Sequence, residues 1–232
     1  MPTLRVVGPG RAGTALSRAL GAVPGWTVLD PVHHGVDVSD AAAGVDLLVI
    51  ATPDDAVASV AGAIAPVETT VVAHLAGSLG LDVLAPHGRR ASIHPLRSIT
   101  LVGADLRGAW FAVAGDSLAA RVVDDLEGRR VEVDDAHRAA YHAAACIASN
   151  HLVALLGQVE RVAATAGVPL EAYLDLVRQT VDNVAVLGPA DALTGPVKRG
   201  DTATVERHLH ALDPAERDAY EALADAARKL VA

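Results

Sequence analysis

Three glycines near the N-terminus, spaced G-x-G-x-x-G, are the first residues whose types and spacing could do chemistry. They lie between a predicted strand and a predicted helix, in the segment Gly8-Pro9-Gly10-Arg11-Ala12-Gly13. In such a turn the first glycine makes the tight bend, the second lets the backbone approach a pyrophosphate, and the third lets helix and strand pack closely. The free N–H groups of the helix would face the phosphates. We therefore predict that these six residues bind a dinucleotide, NAD(P)(H).

The choice between NAD and NADP depends on the residues after the second predicted strand. Asp30 follows the loop by about twenty positions, where an acidic side chain would bond the ribose hydroxyls of NAD or would only cap the strand. Between Gly21 and Thr70 there is no lysine or arginine to clamp the 2′-phosphate of NADP, although Arg11 could supply a cation. These residues leave open whether the protein prefers NAD or NADP.

Further cofactor contacts are predicted where later strands end. Thr52 and Pro53 follow the third strand, and the fourth closes with His74, Gly77 and Ser78. Ligands of open parallel sheets bind at the carboxyl ends of the strands. Ser78 or His74 could therefore reach the nicotinamide ribose, or could simply terminate the strand.

Two histidines are candidate proton donors. His94 ends another predicted strand, and His142 shares a polar stripe with Cys146 and Ser149 on a long apolar helix. An imidazole titrates near neutral pH and could protonate a developing alkoxide. We expect the helix to be buried because it is apolar nearly all round, so its polar stripe predicts a pocket at a domain junction. His142 could instead be a hydrogen-bonded core residue.

Cations near these histidines could hold an anionic substrate. Arg97 follows His94, and Lys198 lies with Thr194 in a predicted irregular loop bracketed by glycines. Both cations could form charge-assisted hydrogen bonds to a substrate carboxylate. The loop could equally be a solvated connection between helices.

The elements that would position these residues alternate as βαβ units over residues 1–134, which predicts a Rossmann domain with a doubly wound parallel sheet. Strands are predicted at residues 4–7, 26–29, 46–51, 70–74, 91–94, 110–114 and 131–133, and helices at 12–20, 54–64 and 117–126. Residues 135–232 are predicted to form an all-helical domain. Its helices span residues 136–166, 170–187 and 202–212, and a capping box, Asp213-Pro214-Ala215-Glu216, opens the last helix.

Composition excludes several classes of protein. The net charge is -9, without a basic cluster, which argues against a nucleic-acid partner. Cys146 is the single cysteine, so neither a disulfide framework nor a cysteine-based zinc site is expected, and we predict no metal site. The N-terminal residues enter a strand without a signal-peptide pattern, so we expect a cytoplasmic protein that does not bind membranes.

With these motifs in view, the chain resembles a family of predicted oxidoreductases in which a Rossmann-like domain precedes a DUF2520 domain. The residues that carry the resemblance are Gly8-x-Gly10-Arg11-x-Gly13, His74-x-x-Gly77-Ser78, Ser92-Ile-His94-Pro95-Leu96, Tyr141-His142-Ala-Ala-Ala-Cys-Ile-Ala-Ser149-Asn150 and Ala192-Leu-Thr-Gly-Pro-Val-Lys-Arg-Gly-Asp201. More distantly, the chain is similar to β-hydroxyacid dehydrogenases, ketopantoate reductases and pyrroline-5-carboxylate reductases. The resemblance implies a helical domain like the C-terminal domain of 6-phosphogluconate dehydrogenase, and a homodimer formed through it.

One departure from these relatives bears on the proton donor. The β-hydroxyacid dehydrogenases carry a catalytic lysine four residues before an asparagine, which Asn150 matches, but Cys146 occupies the lysine position. The donor would then be His142, His94 or Lys198. Kinship with ketopantoate reductases makes a small 2-keto acid such as ketopantoate one candidate substrate.

Two functions of different classes are compatible with these residues. One is an NAD(P)H-dependent oxidoreductase of a small carbonyl or imine, in which Asn150 orients the substrate with Ser149 and Thr194. The other is a non-catalytic dinucleotide-binding redox sensor or assembly protein, which the missing lysine favours. Convergence of the histidines, Asn150 and Lys198 on one cleft would favour the enzyme.

Overall fold

The computed structural model describes residues 1–231 of the chain. By its internal contacts the chain divides into two compact units, Met1–Ser149 and a second unit that begins at Asn150. The division lies inside the long helix, whereas the sequence predicted a boundary after residue 134, where that helix begins. The first turns of the helix thus belong to the first unit, because Arg138 contacts a strand of its sheet.

Seven strands form the sheet of the first unit, in the order β2-β1-β3-β4-β5-β6-β7. Their bounds are β1 Thr3–Val7, β2 Thr27–Val28, β3 Leu47–Ile50, β4 Val71–His74, β5 Arg89–Pro95, β6 Trp110–Gly115 and β7 Arg129–Glu132. Neighbouring strands pair in parallel except β5 and β6, which are antiparallel. The predicted doubly wound α/β sheet is confirmed, and the one antiparallel pair is a feature that strand periodicity could not indicate.

Helices cover both faces of this sheet. Their bounds are α1 Arg11–Gly21, α2 Val57–Ala63 and α3 Leu118–Asp125, with 3-10 turns at Asp54–Ala56, Leu81–Leu84 and Asp135–His137. Side chains of α1 and α3 join one apolar cluster, and those of α2 join the other. Every residue of β3 and β4 is buried, as unbroken apolar runs predict for central parallel strands.

Gly13 is required by the packing of α1 on the sheet. A Cβ atom there would lie 2.8 Å from Cγ1 of Val6 and 2.9 Å from Cβ of Ala51. We expect Gly13→Ala to lower the free energy of unfolding by about 2 kcal/mol, because two well-packed strand residues would have to move. Gly62→Ala is the matched control, since no atom lies within 4 Å of its added Cβ. Urea unfolding that shows equal midpoints for the two variants would contradict this prediction.

The long helix after the sheet contains an irregular turn. It comprises α4 Arg138–Cys146, a π-helical turn at Ile147–His151, and α5 Leu152–Thr165. Asp134 caps its start by accepting the His137 N–H at 3.0 Å. A constant step of one hundred degrees per residue fails through the π-turn, so the predicted stripe is reliable only up to Cys146.

The prediction that this helix is buried is wrong for the single chain. Ile147 is 58% exposed and Val153 is 70% exposed, because no other element of residues 1–231 covers these faces. Within the same described range, the helix Asp135–Thr165 is the one long and apolar enough to cross a membrane, by length and composition only.

The second unit consists of helices with little buried core. They are α5, α6 Glu171–Leu187, α7 Pro189–Ala192, α8 Gly195–Lys198, α9 Thr202–Ala211 and α10 Pro214–Lys229. Between residues 150 and 231, the buried side chains are Ala163, Val205 and Ala224. The unit therefore folds its helices as predicted but leaves most of their apolar surface exposed.

Two local predictions for this unit need correction. Asp213 caps α10 through the Ala215 N–H at 2.9 Å, but Glu216 does not complete a capping box. Its carboxylate instead pairs with the Arg161 guanidinium at 2.5 and 3.0 Å, which is a stronger partner than a backbone N–H. Lys198 lies in the one-turn helix α8 rather than in an irregular loop, and its Nζ donates to the Ala190 carbonyl at 3.4 Å.

Candidate functional site

The glycine loop forms a tight turn from β1 into α1. Gly8 has φ +73°, a conformation that favours glycine, and its N–H donates to the Val32 carbonyl at 2.9 Å. Gly10 precedes α1 and has an extended backbone, and the nearest atom to a Cβ built on it is the Ala51 carbonyl oxygen at 3.9 Å. Close contacts therefore explain why positions 8 and 13 hold glycine. A side chain at position 10 would instead enter open space at the start of α1.

A cleft of about 620 Å³ lies against this loop. It is lined by the glycine loop, by the segment after β2 and by the end of β3, including Gly8, Pro9, Gly10, His33, His34, Gly35, Ala51, Thr52 and Pro53. The buried Oγ1 of Thr52 has no hydrogen-bond partner. The position of the cleft, at the glycine loop and the start of α1, gives it the features of a binding site.

The predicted ribose contact of Asp30 stays a prediction, although Asp30 does not line this cleft. In the segment after β2, the residues that line it begin with His33 and His34. Strand pairing continues past β2, because the Val32 N–H donates to the Val6 carbonyl and Val32 bridges to Val7. The residue after the last paired position is therefore His33. Two consecutive histidines after a predicted strand were the signal in the sequence.

The other predicted cofactor residues fall into different environments. Arg11 lines a second cleft of about 280 Å³ with Arg18 and residues 100–104, on α1 beside the glycine loop. Ser78 donates to an Asp54 carboxylate oxygen at 3.0 Å. His74 is completely buried, with Nε2 at 3.2 Å from the Gly80 carbonyl, so its ring is closed to a ligand and supports the turn instead.

The two candidate imidazoles lie together above Gly77. The ring centroids of His94 and His142 are 5.8 Å apart, in an edge-to-face arrangement. A Cβ on Gly77 would lie 2.5 Å from Cδ2 of His142 and 2.9 Å from Nε2 of His94. Only a glycine at position 77 lets both rings approach the backbone this closely. The segment after β4 therefore contacts His94 on β5 and His142 on α4.

Tyr141 holds the ring of His94. Its hydroxyl lies 2.6 Å from Nδ1 of His94, and the two rings meet edge to face. Burial raises the pKa of Tyr141 to about 12, so its O–H stays protonated and can donate. When Tyr141 donates to Nδ1, the neutral His94 ring carries its proton on Nε2, the nitrogen near Gly77.

The charge state of His94 is set by its surroundings. Burial, followed by the proximity of His142 and Arg138, lowers the pKa of His94 to about 4. Arg138 is itself buried and donates to the Ser92 hydroxyl at 2.7 Å, with Asp135 at 3.7 Å from its Nε. At neutral pH His94 is therefore uncharged and can donate or accept a hydrogen bond, but it is not an acid. Of the two neighbouring histidines, this leaves His142 as the candidate acid.

The lowered pKa values predict acid-sensitive stability. Burial also lowers the pKa of His74. Between about pH 6.5 and pH 4 the unfolded chain takes up a proton that the folded His94 ring does not bind, so stability falls as the pH falls through that window, and the lowered pKa of His74 acts in the same direction. His94 alone contributes a loss of about 3 kcal/mol. Urea unfolding at successive pH values should show a shallower decline for His94→Gln than for His210→Gln, an exposed control in the second unit; equal slopes would contradict the assignment.

The remaining predicted residues are not all brought to this cluster. Cys146 lies 3.9 Å from Nε2 of His142, and Ser149 donates back to the Ala145 carbonyl at 2.8 Å. Arg97 is exposed after β5. Asn150, Thr194 and Lys198 belong to the second unit. Tyr141 and Arg138 are site residues that chemical reasoning on the sequence did not assign, since their partners are 47 and 46 positions away.

Two family models match the chain. Residues 111–227 match the family described as a domain of unknown function, DUF2520, and residues 28–97 match a Rossmann-like domain. The predicted resemblance is thus confirmed. None of the curated proteins matches the chain in sequence.

Solved structures share the fold over nearly the whole chain. BF3122 from Bacteroides fragilis, a proposed NADP oxidoreductase, is 20% identical, with a TM-score of 0.82 and 98% of each chain covered. The protein TM1727 from Thermotoga maritima is 23% identical, with a TM-score of 0.77 and 98% of each chain covered. A reductive aminase from Aspergillus terreus, in complex with NADPH and ethyl levulinate, is 17% identical, with a TM-score of 0.69 and 99% and 94% covered.

Proposed function

We propose, from the premise that this chain belongs to the DUF2520 family, that it is an NAD(P)H-dependent reductase of a small carbonyl or imine compound. The observation that carries the proposal is the meeting of His94 and His142 at Gly77, on the same sheet edge as the open glycine loop. β1, β3, β4 and β5 are consecutive parallel neighbours, so their carboxyl ends share one edge. Strands lie about 4.8 Å apart, so the end of β4 lies about 10 Å along this edge from the glycine loop, on the side where the nicotinamide half would extend from a pyrophosphate at the loop.

The residues at the glycine loop fit a dinucleotide. Gly10 leaves room for a phosphate to approach the backbone, and the first N–H groups of α1 lack partners within the helix. The solved NADP oxidoreductase and reductase structures of the same fold are consistent with this choice of cofactor.

We infer that His94 and His142 lie where the substrate is reduced. A bound nicotinamide would supply the hydride to the substrate carbon. His142 would donate the proton that the carbonyl oxygen or imine nitrogen takes up, while Tyr141 fixes the ring of His94 through the 2.6 Å hydrogen bond. We further propose that five residues bind or orient the substrate: Arg97, Ser149, Asn150, Thr194 and Lys198.

A substrate screen tests this function. The pure protein is incubated with NADPH or NADH and a panel of small 2-keto acids, including ketopantoate, and cyclic and acyclic imines, and cofactor oxidation is followed. We expect turnover of at least one anionic carbonyl or imine, and less of its uncharged analogue. Tight cofactor binding without turnover of any compound would favour the non-catalytic redox sensor. Failure to bind either cofactor would reject both functions.

We also propose that the second unit forms a homodimer. Its described residues bury three apolar side chains but expose many others, among them Val153, Leu176, Val181, Val186 and Leu187. Exposed apolar surface of this extent usually marks an interface, and a second copy would present the same faces. Light scattering should show a dimer that Val153→Asp weakens, whereas Leu101→Asp, at an even more exposed apolar residue of the first unit, should not. A monomer at micromolar concentration would contradict the proposal.

A further inference from the structure

Arg138, in the first turn of α4, is a buried cation. Among the lysines, arginines, aspartates and glutamates of residues 1–231, its side chain alone is buried, with 1% exposed. Taking a guanidinium out of water costs free energy, and an apolar side chain of similar volume often stabilises a fold as well or better. An arginine is therefore a poor choice at this position if stability is its only role.

The contacts of Arg138 identify one direct partner. Its Nη1–H donates to the Ser92 hydroxyl on β5 at 2.7 Å, and Ser92 is completely buried. Asp135 lies 3.7 Å from Nε, too far for a hydrogen bond, and its other carboxylate oxygen accepts the Leu81 N–H at 3.0 Å. Nε and Nη2 make no hydrogen bond to any residue that the structure describes. The bond that the guanidinium does make joins α4 to β5.

This bond is one of two between the same faces of α4 and β5. Arg138 and Tyr141 are three positions apart, so they lie on one face of the helix, and Ser92 and His94 are two positions apart, on one face of the strand. Arg138 bonds Ser92 at 2.7 Å, and Tyr141 bonds His94 at 2.6 Å. One bond would let the helix pivot about the contact, whereas two bonds at different points also fix its register along the strand.

The position of His142 depends on this register. His142 lies four positions after Arg138, on the same face of α4. Its ring contacts Gly77, where an added Cβ would lie 2.5 Å from Cδ2, and its centroid lies 5.8 Å from that of His94. The Cys146 thiol, 3.9 Å from Nε2, belongs to the same helix and moves with it. The place of the His142 ring relative to β4 and β5 therefore follows the place of α4.

We propose that Arg138 is a positioning residue, which fixes the register of α4 on β5 through its hydrogen bond to Ser92. It thereby holds the His142 ring where the proton is donated, and it acts through the helix rather than by touching substrate or cofactor. A displacement of about 1 Å in a reacting group can cost a hundredfold in rate, so a contact remote from the chemistry can control it. The inference rests on the proposed function, because it assumes that His142 is the proton donor.

A double-mutant cycle tests this role, with thermal unfolding of each variant and kinetics on the compound of the 2-keto acid and imine panel that the parent reduces fastest. Arg138→Met and Ser92→Ala each remove the hydrogen bond and should lower kcat about tenfold, with KM and the cofactor dissociation constant nearly unchanged. The double variant should lose no more than either single variant, because the same bond is removed. It leaves neither partner of that bond buried alone, so its Tm should recover toward the parental value while kcat stays low.

Two further variants separate position from stability. Arg138→Lys keeps a cation and a donor, so it should retain more of kcat than Arg138→Met does. Arg89→Met is the matched control, because Arg89 lies at the other end of β5 and donates to Asp116 at 2.8 and 3.0 Å. It should keep the parental kcat even where its Tm falls.

Nuclear magnetic resonance gives a readout that needs no substrate. The parent chain should show a nuclear Overhauser effect between the Gly77 α-protons and the His142 ring proton on Cδ2, since these groups are in contact. The effect should persist in Arg89→Met and weaken in Arg138→Met, where α4 is free to shift along β5.

The two proposals fail in different ways. If the parent reduces no compound, the proposed function is rejected, and an unchanged Gly77–His142 contact in Arg138→Met would then also overturn the role of Arg138 in placing the ring. If the parent is active, parental kcat in Arg138→Met, or additive losses in the cycle, overturns only this inference. A kcat that falls in step with Tm across all variants, Arg89→Met included, would likewise reduce Arg138 to a structural residue.

Discussion

Gly10→Val is expected to abolish NAD(P)H binding while the chain stays folded. The backbone at this position is extended, with φ −72° and ψ −166°, a conformation that valine adopts readily. No protein atom lies closer than 3.9 Å to the added Cβ, so the protein itself should tolerate the change. A branched side chain would, however, fill the space through which phosphates approach the first N–H groups of α1. We expect a loss of affinity on the order of a hundredfold or more.

The measurement is calorimetry with NADPH and NADH on a variant whose thermal unfolding matches the parent. Gly62→Val is the matched control, because its side chain would also enter open space and position 62 is not among the residues that line the cleft. Unchanged affinity in folded Gly10→Val would reject the assignment of this loop as the cofactor site. Unfolding of the variant would instead contradict the argument that position 10 is free of packing contacts.

The sheet could be predicted because burial imposes a simple pattern on its strands. Residues 47–50 and 71–74 are buried at every position, and both strands are apolar throughout except for His74, so they are easily recognised. The glycine spacing was equally informative, since two of its three glycines are required by backbone conformation or close packing. The antiparallel pairing of β5 with β6 has no comparable pattern of residues in the sequence, and only the structure reveals it.

The site was predicted less well because it depends on register and on distant contacts. Counting about twenty residues from the loop led to Asp30, but pairing extends to Val32 and places His33 and His34 at the cleft. The hydrogen bond between His94 and Tyr141 joins residues 47 positions apart, which no local spacing indicates. The long helix was expected to be buried from its composition alone, but a composition does not reveal whether the same chain or a second copy covers it.

His142→Asn is expected to lower turnover of a carbonyl or imine substrate by about a hundredfold while leaving cofactor affinity nearly intact. The ring lies at Gly77, after β4, away from the glycine loop that follows β1. His94→Asn should also lower turnover, but through position rather than proton supply, because the pKa of about 4 leaves its ring uncharged at neutral pH. Lys198→Ala should raise KM more than it lowers kcat, since a cation that holds an anionic substrate supplies uniform binding.

The pattern across these variants, measured as kcat, KM and cofactor dissociation constants, identifies the donor. Tyr141→Phe distinguishes the role of His94 from that of His142, because it removes only the hydrogen bond to His94. It should lower kcat by no more than His94→Asn does. Gly77→Ala should lower kcat as well, since its Cβ would displace both rings. Near-parental turnover in both histidine variants would exclude an imidazole donor and leave Lys198 or a bound water as the acid. A large kcat loss in Lys198→Ala with little change in KM would also contradict the imidazole mechanism, because it would identify Lys198 as the proton donor.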